Sequence, residues 1–188
     1  LVHYRQKAAR LSTLEQFKVR PREYTLVTLH RPGNVDAEEG LEKIISIFEQ
    51  LSARTSIIFP VHPRTKKMLE RYGLGERAGK IPNLQITEPL GYLEFLCLMD
   101  RAQLLVTDSG GIQEETTFLG VPCLTLRENT ERPITCEIGT NELCGLDVGN
   151  IVRKSFEVYD GHAKPGRVPD LWDGHAAQRI AEIILKKL

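Results

Sequence analysis

A chain of 188 residues with 41% hydrophobic content can bury one good core, so a single compact domain over residues 1–188 is expected rather than two small ones. Its 25 basic and 25 acidic side chains cancel to a formal charge of zero, which removes the broad positive field of a protein that holds a nucleic-acid backbone. Any anion bound here should be small and gripped locally, by loop amides and a few Arg or His side chains.

In chain order, the N-terminal Leu1-Val2-His3-Tyr4-Arg5-Gln6-Lys7 has no apolar signal core, and no apolar run is long enough to span a bilayer. A soluble, cytoplasmic protein with no membrane partner is expected, and the missing initiator Met hints that residue 1 is not the natural start. Short β-branched or apolar runs then alternate with helical patterns, the signature of βα units and a parallel sheet covered on both faces. The runs are Tyr24 to Leu29, Ser56 to Val61, Leu84 to Thr87, Gln103 to Thr107, Val121 to Leu126 and, more weakly, Glu142 to Gly145. Leu41, Ile44, Ile45, Phe48 and Leu51 recur at helical spacing and predict a helix over Asp36 to Ala53, with Asp36 and Glu39 placed as a capping box. Further helices are expected over Lys66 to Tyr72, Tyr92 to Asp100 and Gly111 to Leu119. Tyr159 to Pro169, rich in Pro, Gly and charge, reads as a surface loop before a last helix, Gly174 to Leu188, with Ala176, Ile180, Ile183 and Ile184 on one face. Cys97, Cys123, Cys136 and Cys144 show no C-x-x-C spacing and read as small buried hydrophobes rather than a zinc site or a disulfide framework.

In open α/β sheets, ligands bind beyond the carboxyl ends of the strands, and the unusual residues of this chain stand there. The first run ends in His30-Arg31-Pro32-Gly33-Asn34, the second in His62-Pro63-Arg64, the fourth in Asp108-Ser109-Gly110-Gly111 and the fifth in Arg127 to Pro133. Paired glycines at a strand-to-helix turn let backbone approach a ligand closely, and free amides at the positive end of the helix favour phosphate. Ser109 can add a hydroxyl. Glu115, four residues after Gly111 and on the same helical face, can accept hydrogen bonds from a vicinal diol such as a ribose. The alternative is that Asp108 or Ser109 merely caps the helix.

His30 and Arg31 can shuttle a proton or clamp a phosphate, or they are simply exposed loop residues. His62 alone is more in keeping with a structural histidine, and His3, His162 and His175 read as surface residues. Arg132 can reach a phosphate or pair with Glu131 or Glu128. Phe95 can lie along a base, though composition favours a core aromatic on an amphipathic helix.

Taken together, Thr28-Leu29-His30-Arg31, Val61-His62-Pro63, Tyr92 to Met99, the string Thr107-Asp108-Ser109-Gly110-Gly111-Ile112-Gln113-Glu114-Glu115, and Thr130-Glu131-Arg132-Pro133 resemble the bacterial and archaeal non-hydrolysing UDP-N-acetylglucosamine 2-epimerases. Gly139-Thr140-Asn141 and Leu171-Trp172-Asp173-Gly174 extend the likeness toward the C-terminus. The resemblance implies a glycosyltransferase-B-type fold of two Rossmann-like domains, of which this chain is the second, with the N-terminal domain as its missing partner. It implies that Ser109, Gly110 and Gly111 hold the phosphates, Glu115 the ribose, Phe95 the uracil region, and Arg132 and His30 the diphosphate side, with His30 the catalytic group. It further implies that Arg31 and His62 belong to a second, activating UDP-GlcNAc site, and that the full-length protein is a homodimer. Two positions depart from the family: Gly33 stands where a Glu is frequent before Asn34, and Ile134 where Glu often follows Arg132-Pro133.

The implied reaction eliminates UDP from UDP-GlcNAc to give an enzyme-bound 2-acetamidoglucal and adds it back after inversion at C2, giving UDP-ManNAc. Most of the carboxylates for that chemistry would come from the absent domain, so the isolated chain should bind UDP weakly and turn over nothing. No G-x-G-x-x-G follows the first strand, so NAD is unsupported, and neither a metal nor any cofactor is expected. A nucleotide-sugar glycosyltransferase and a non-catalytic UDP-sugar-binding regulatory domain remain the competing readings of the same residues.

Overall fold

The computed structural model describes residues 1–186. In chain order the elements are α1 (Val2–Ala8), α2 (Thr13–Gln16), β1 (Tyr24–Thr28), α3 (Pro32–Val35), α4 (Glu38–Leu51), β2 (Ser56–Pro60), α5 (Pro63–Arg71), α6 (Gly75–Gly79), β3 (Leu84–Thr87), α7 (Tyr92–Arg101), β4 (Leu104–Thr107), α8 (Gly110–Leu119), β5 (Cys123–Thr125), α9 (Pro133–Glu137), β6 (Asn141–Leu143), α10 (Val148–Tyr159) and α11 (Ala176–Leu185). The strands form one parallel sheet in the order β3-β2-β1-β4-β5-β6, the Rossmann order. Lys187 and Leu188, the end of the expected last helix, lie outside the described residues.

Strand alternation splits the core in two. Val27, Leu29, Ile57, Phe59, Leu104, Val106 and Leu124 point to one face and meet Leu41, Ile44, Ile45 and Phe48 of α4 and Ile151 and Val152 of α10. Tyr24, Leu26, Ile58, Leu105 and Cys123 point to the other and meet Leu96 to Met99 of α7 with Leu119 of α8. Both sides being covered, the strands carry near-continuous apolar runs. Buried Tyr24 keeps its hydroxyl satisfied by donating to the Leu98 carbonyl.

The expected helix over Asp36 to Ala53 is found as α4, two residues shorter at each end, and is preceded by an unexpected short α3 that Pro32 starts after Arg31 in extended geometry. The capping box does not form: Ala37 is the residue ahead of α4, the Asp36 carboxylate receives Arg64 Nε at 2.7 Å, and Glu39 pairs with Lys43. α10, with Ile151, Val152, Ser155 and Val158 buried, was not foreseen, and neither were α1, α2, α6 and α9. The expected loop from Tyr159 to Pro169 is irregular from Asp160 onward and is tied down by Lys164, whose ammonium donates to the carbonyls of Cys136, Gly139 and Asn141. Cys97, Cys123 and Cys144 are buried free thiols and Cys136 is half-buried. No helix among the described residues is long and apolar enough to cross a membrane.

Gly40 explains how α4 can lie against the loop after β1. A Cβ there would overlap the Asn34 carbonyl oxygen and stand 3.1 Å from its carbon, a backbone group that cannot step aside. Gly40→Ala should therefore destabilise the protein by about 1–3 kcal/mol although alanine is the better helix former. Thermal unfolding checks this, with a fall of about 2–4 °C per kcal/mol expected and a rise contradicting the packing.

Candidate functional site

The register sets Thr28 beside Thr107 and Thr107 beside Thr125, so the loops after β1, β4 and β5 leave the sheet level with one another. β1 and β4 are also where the strand order reverses, the crevice at which such sheets bind ligands.

Asp108, the first residue after β4, is fully buried. Its Oδ2 accepts the Arg31 amide at 2.8 Å, the His30 amide at 3.0 Å and Asn34 Nδ2 at 3.1 Å, and its Oδ1 lies 3.1 Å from the His30 amide. His30 Nδ1 is also 3.1 Å from Oδ1. Asn34 reaches on to the Leu126 carbonyl at 3.0 Å, so one aspartate and one asparagine tie together the loops after β1, β4 and β5. The loop after β2 joins the same edge: Thr65 donates to the Leu29 carbonyl at 2.7 Å, Tyr72 to the Asp36 carbonyl at 2.8 Å, and Arg64 clamps Asp36. As a result the rings of His30 and His62 lie 5.3 Å apart. His62 Nδ1 accepts the Arg64 amide at 3.1 Å and so caps α5.

Ser109 precedes α8 in an extended conformation, and its side chain makes no capping bond. Its amide donates to Thr107 Oγ1 at 3.0 Å. Asp108 turns toward the β1 loop instead, so neither candidate cap covers the first amides of α8. A Cβ on Gly111 would meet nothing within 4 Å, and one on Gly110 only the Glu131 carboxylate at 3.9 Å, leaving that helix end open. The open helix end, with its aligned dipoles, is an anion site in waiting.

One turn further on, Glu115 accepts the Tyr92 hydroxyl at 3.0 Å. Burial raises its pKa above the usual carboxylate range, opposed by that hydrogen bond, and the Tyr92 hydroxyl is itself pushed up to about 12 by burial and the adjacent carboxylate. Glu114 and Glu115 line a shallow apolar groove with Val2, Phe118 and Trp172. Phe95 is half-buried and packs on the core with Ile112 and Phe118.

The loop after β5 is held by Gln113, buried on α8, whose Oε1 accepts the Thr130 hydroxyl at 2.6 Å. Arg132 Nε sits 2.9 Å from Glu114, not from Glu131 or Glu128. Its angle is too poor for a hydrogen bond, leaving that nitrogen unpaired as a donor. Glu131 instead takes a bidentate bond from Arg127 at 2.7 and 2.8 Å, which holds its carboxyl down at about 2. The described residues give the Arg31 guanidinium no ion pair. Gly33 is exposed, and a side chain there would meet nothing.

Sequence reasoning thus singled out His30, Arg31, His62, Ser109, Gly110, Gly111, Glu115 and Arg132, which share one sheet edge or the helix that leaves it. It placed His30 and His62 on one sheet edge without foreseeing that their rings lie 5.3 Å apart, and it missed the parts played by Asp108, Asn34, Gln113 and Tyr92. A charged residue directly after a fully buried strand was the available signal for Asp108.

Sheet order and the surrounding helices define a Rossmann-like domain of the kind that forms half of a glycosyltransferase-B-type protein. The chain belongs to the UDP-N-acetylglucosamine 2-epimerase family, whose pattern it matches over residues 1–185. It is 43% identical over 164 residues to the UDP-N-acetylglucosamine 2-epimerase of Methanocaldococcus jannaschii, covering 86% of this chain and 44% of that one. Identity is 49% over 131 residues to the enzyme of the same description from Methanococcus maripaludis, covering 69% of this chain and 36% of that one. The crystal structure of the M. jannaschii UDP-GlcNAc 2-epimerase in complex with UDP-GlcNAc and UDP superposes with a TM-score of 0.83 at 38% identity, covering 98% of this chain and 51% of that one. The chain therefore spans about half the length of the relatives it matches, or less.

The raised pKa of Glu115 has a stability consequence. The native protein binds this proton more tightly than the unfolded chain, so the group's contribution is most favourable at low pH and is lost as pH rises through the raised native value. Glu115→Gln should raise the melting temperature at neutral pH, with the gap to the parent closing in acid. A lower melting temperature at neutral pH would show that the charge stabilises the fold.

Proposed function

We propose that this chain supplies the UDP-binding half of a UDP-N-acetylglucosamine 2-epimerase. The observation that carries the reading is the uncapped, glycine-paired start of α8, open to solvent and followed one turn later by Glu115. The diphosphate takes the amides of Gly110 and Gly111 with the Ser109 hydroxyl, the ribose diol takes Glu115 in place of or beside Tyr92, and the uracil lies toward Phe95. Arg132 and His30 face the diphosphate from the neighbouring loops. Arg31 and His62 are assigned to a second UDP-GlcNAc site.

The reaction that fits is elimination of UDP and the C2 proton across C1 and C2 to give 2-acetamidoglucal, followed by re-addition of UDP at C1 with protonation of C2 on the opposite face. The departing diphosphate gathers negative charge, and a helix N-terminus with adjacent Arg and His groups stabilises it most when the C1–O bond breaks. The base and acid at C2 come from an N-terminal domain, which closes the cleft and completes the two-domain fold. Family membership favours this isomerase over the transferase and regulatory readings of the same half-fold. The apolar side of α11, with Ile180, Ile183, Ile184 and Leu185 each more than half exposed, supports a partner domain. The whole protein works in the cytoplasm as a homodimer.

Calorimetric titration with UDP, together with an epimerisation assay, tests the reading. The isolated chain should bind UDP and convert no UDP-GlcNAc. Full turnover by these residues alone would refute the division of labour. Gly111→Ala, whose methyl meets no protein atom but points toward the ligand, should keep the fold and weaken UDP binding about tenfold to a hundredfold. Unchanged affinity would move the diphosphate elsewhere.

A further inference from the structure

We infer that Tyr92 is the positioning residue that sets the Glu115 carboxylate to read a vicinal diol, so that the cleft prefers a ribonucleoside diphosphate to one lacking the 2′ and 3′ hydroxyls. The inference rests on the proposed ribose site and adds the group that shapes it. The Tyr92 hydroxyl, on the first residue of α7, donates to Glu115 Oε1 of α8 at 3.0 Å across 23 positions of chain. A carboxylate offers about four lone-pair sites. Tyr92 takes one of them, which leaves Oε2 and the second lone pair of Oε1 for the two hydroxyls of a ribose. The tyrosine thus stays in place as the ligand binds, and the diol docks beside it.

The donor is held from two sides. Tyr92 stands at the head of α7, where the Glu94 carboxylate accepts the Gly91 amide at 3.0 Å and fixes the helix start. Its ring meets Tyr4 of α1 edge-on, with centroids 6.0 Å apart and planes at 83°. Arg5 clamps α1 to α7 in turn, donating to the two Asp100 oxygens at 3.0 and 2.8 Å.

The acceptor depends on that hold. Glu115 is half-buried, and Tyr92 is its only hydrogen-bond donor among the described residues. Without the hydroxyl the flexible glutamate side chain would have to be ordered by the ligand itself, at a cost to affinity. Burial raises the pKa of Glu115 and the Tyr92 bond opposes that rise, so the same contact favours the ionised form, which has only acceptors to present to a diol.

The test is calorimetric titration of the 188-residue chain and its variants with UDP and with 2′,3′-dideoxy-UDP, read as the ratio of the two dissociation constants. Tyr92→Phe removes one oxygen from a side chain 44% exposed and keeps the ring against Tyr4, so the fold is not at stake. The wild type should prefer UDP. Tyr92→Phe should cut that preference about threefold to tenfold through weaker UDP binding, with affinity for 2′,3′-dideoxy-UDP held within about twofold. A tyrosine that served packing alone would leave the ratio where it was. Glu115→Ala separates the inference from the reading beneath it. If Glu115→Ala abolishes the preference while Tyr92→Phe keeps or increases it, the inference is overturned and the ribose site stands. If the preference survives Glu115→Ala, or the wild type shows none or binds neither nucleotide, the ribose does not rest on Glu115 and both fall together.

Discussion

Burying a carboxylate without solvent contact costs several kcal/mol, and Asp108 bears that cost because two backbone amides and an asparagine side chain donate to it. Hydrogen bonds to a charged acceptor contribute about 1.5–3 kcal/mol each, enough in sum to offset the desolvation. What this fixes is the course of the chain beyond β1. His30 and Arg31 leave the sheet pinned by their own amides, so their side chains start from a rigid base rather than a mobile loop. Asn34 carries the same constraint to Leu126, and Gly40 lets α4 close over it. The edge of the sheet is thus assembled before any ligand arrives, which is the condition under which amides and dipoles are most effective toward developing charge.

The charges around this edge are mostly paired already. Arg127 holds Glu131, Arg132 lies beside Glu114, and Arg64 holds Asp36. A neutral protein can therefore present a local anion site without a general positive field, in keeping with a ligand that carries two phosphates rather than a polymer of them. Glu131 stands close to Gly110, where its own negative charge meets the helix end. Arg127, bonded to both of its oxygens, offsets that charge.

Much of this was legible in the residues themselves. Alternating runs gave the strands to within one or two positions at most ends, and the amphipathic spacing from Leu41 to Leu51 located α4, because burial on both faces of a parallel sheet leaves a strong periodic trace. The helix start at Gly110-Gly111 was legible because a serine and two glycines between an apolar strand and a helical run mark a strand-to-helix turn. α10 escaped notice since Ser155 stands in the middle of its buried face and two poor helix formers, Gly149 and Asn150, stand in its first turn. The Asp36–Glu39 capping box failed for a physical reason that only tertiary structure reveals: Arg64, 28 residues away, is the stronger partner for Asp36. Asp108 was marked only by its place directly after a buried strand, since its partners, two backbone amides and Asn34, stand more than seventy positions away.

The most direct trial of the account is a titration of the isotopically labelled chain with UDP, followed through its backbone amide resonances. The amides of Gly110 and Gly111 should move first and furthest, with Glu115 and the His30–Arg31 pair following at the same ligand concentration. If those signals stay still while the response gathers in residues remote from the carboxyl ends of β1 and β4, the nucleotide does not rest on the start of α8 and the account is wrong.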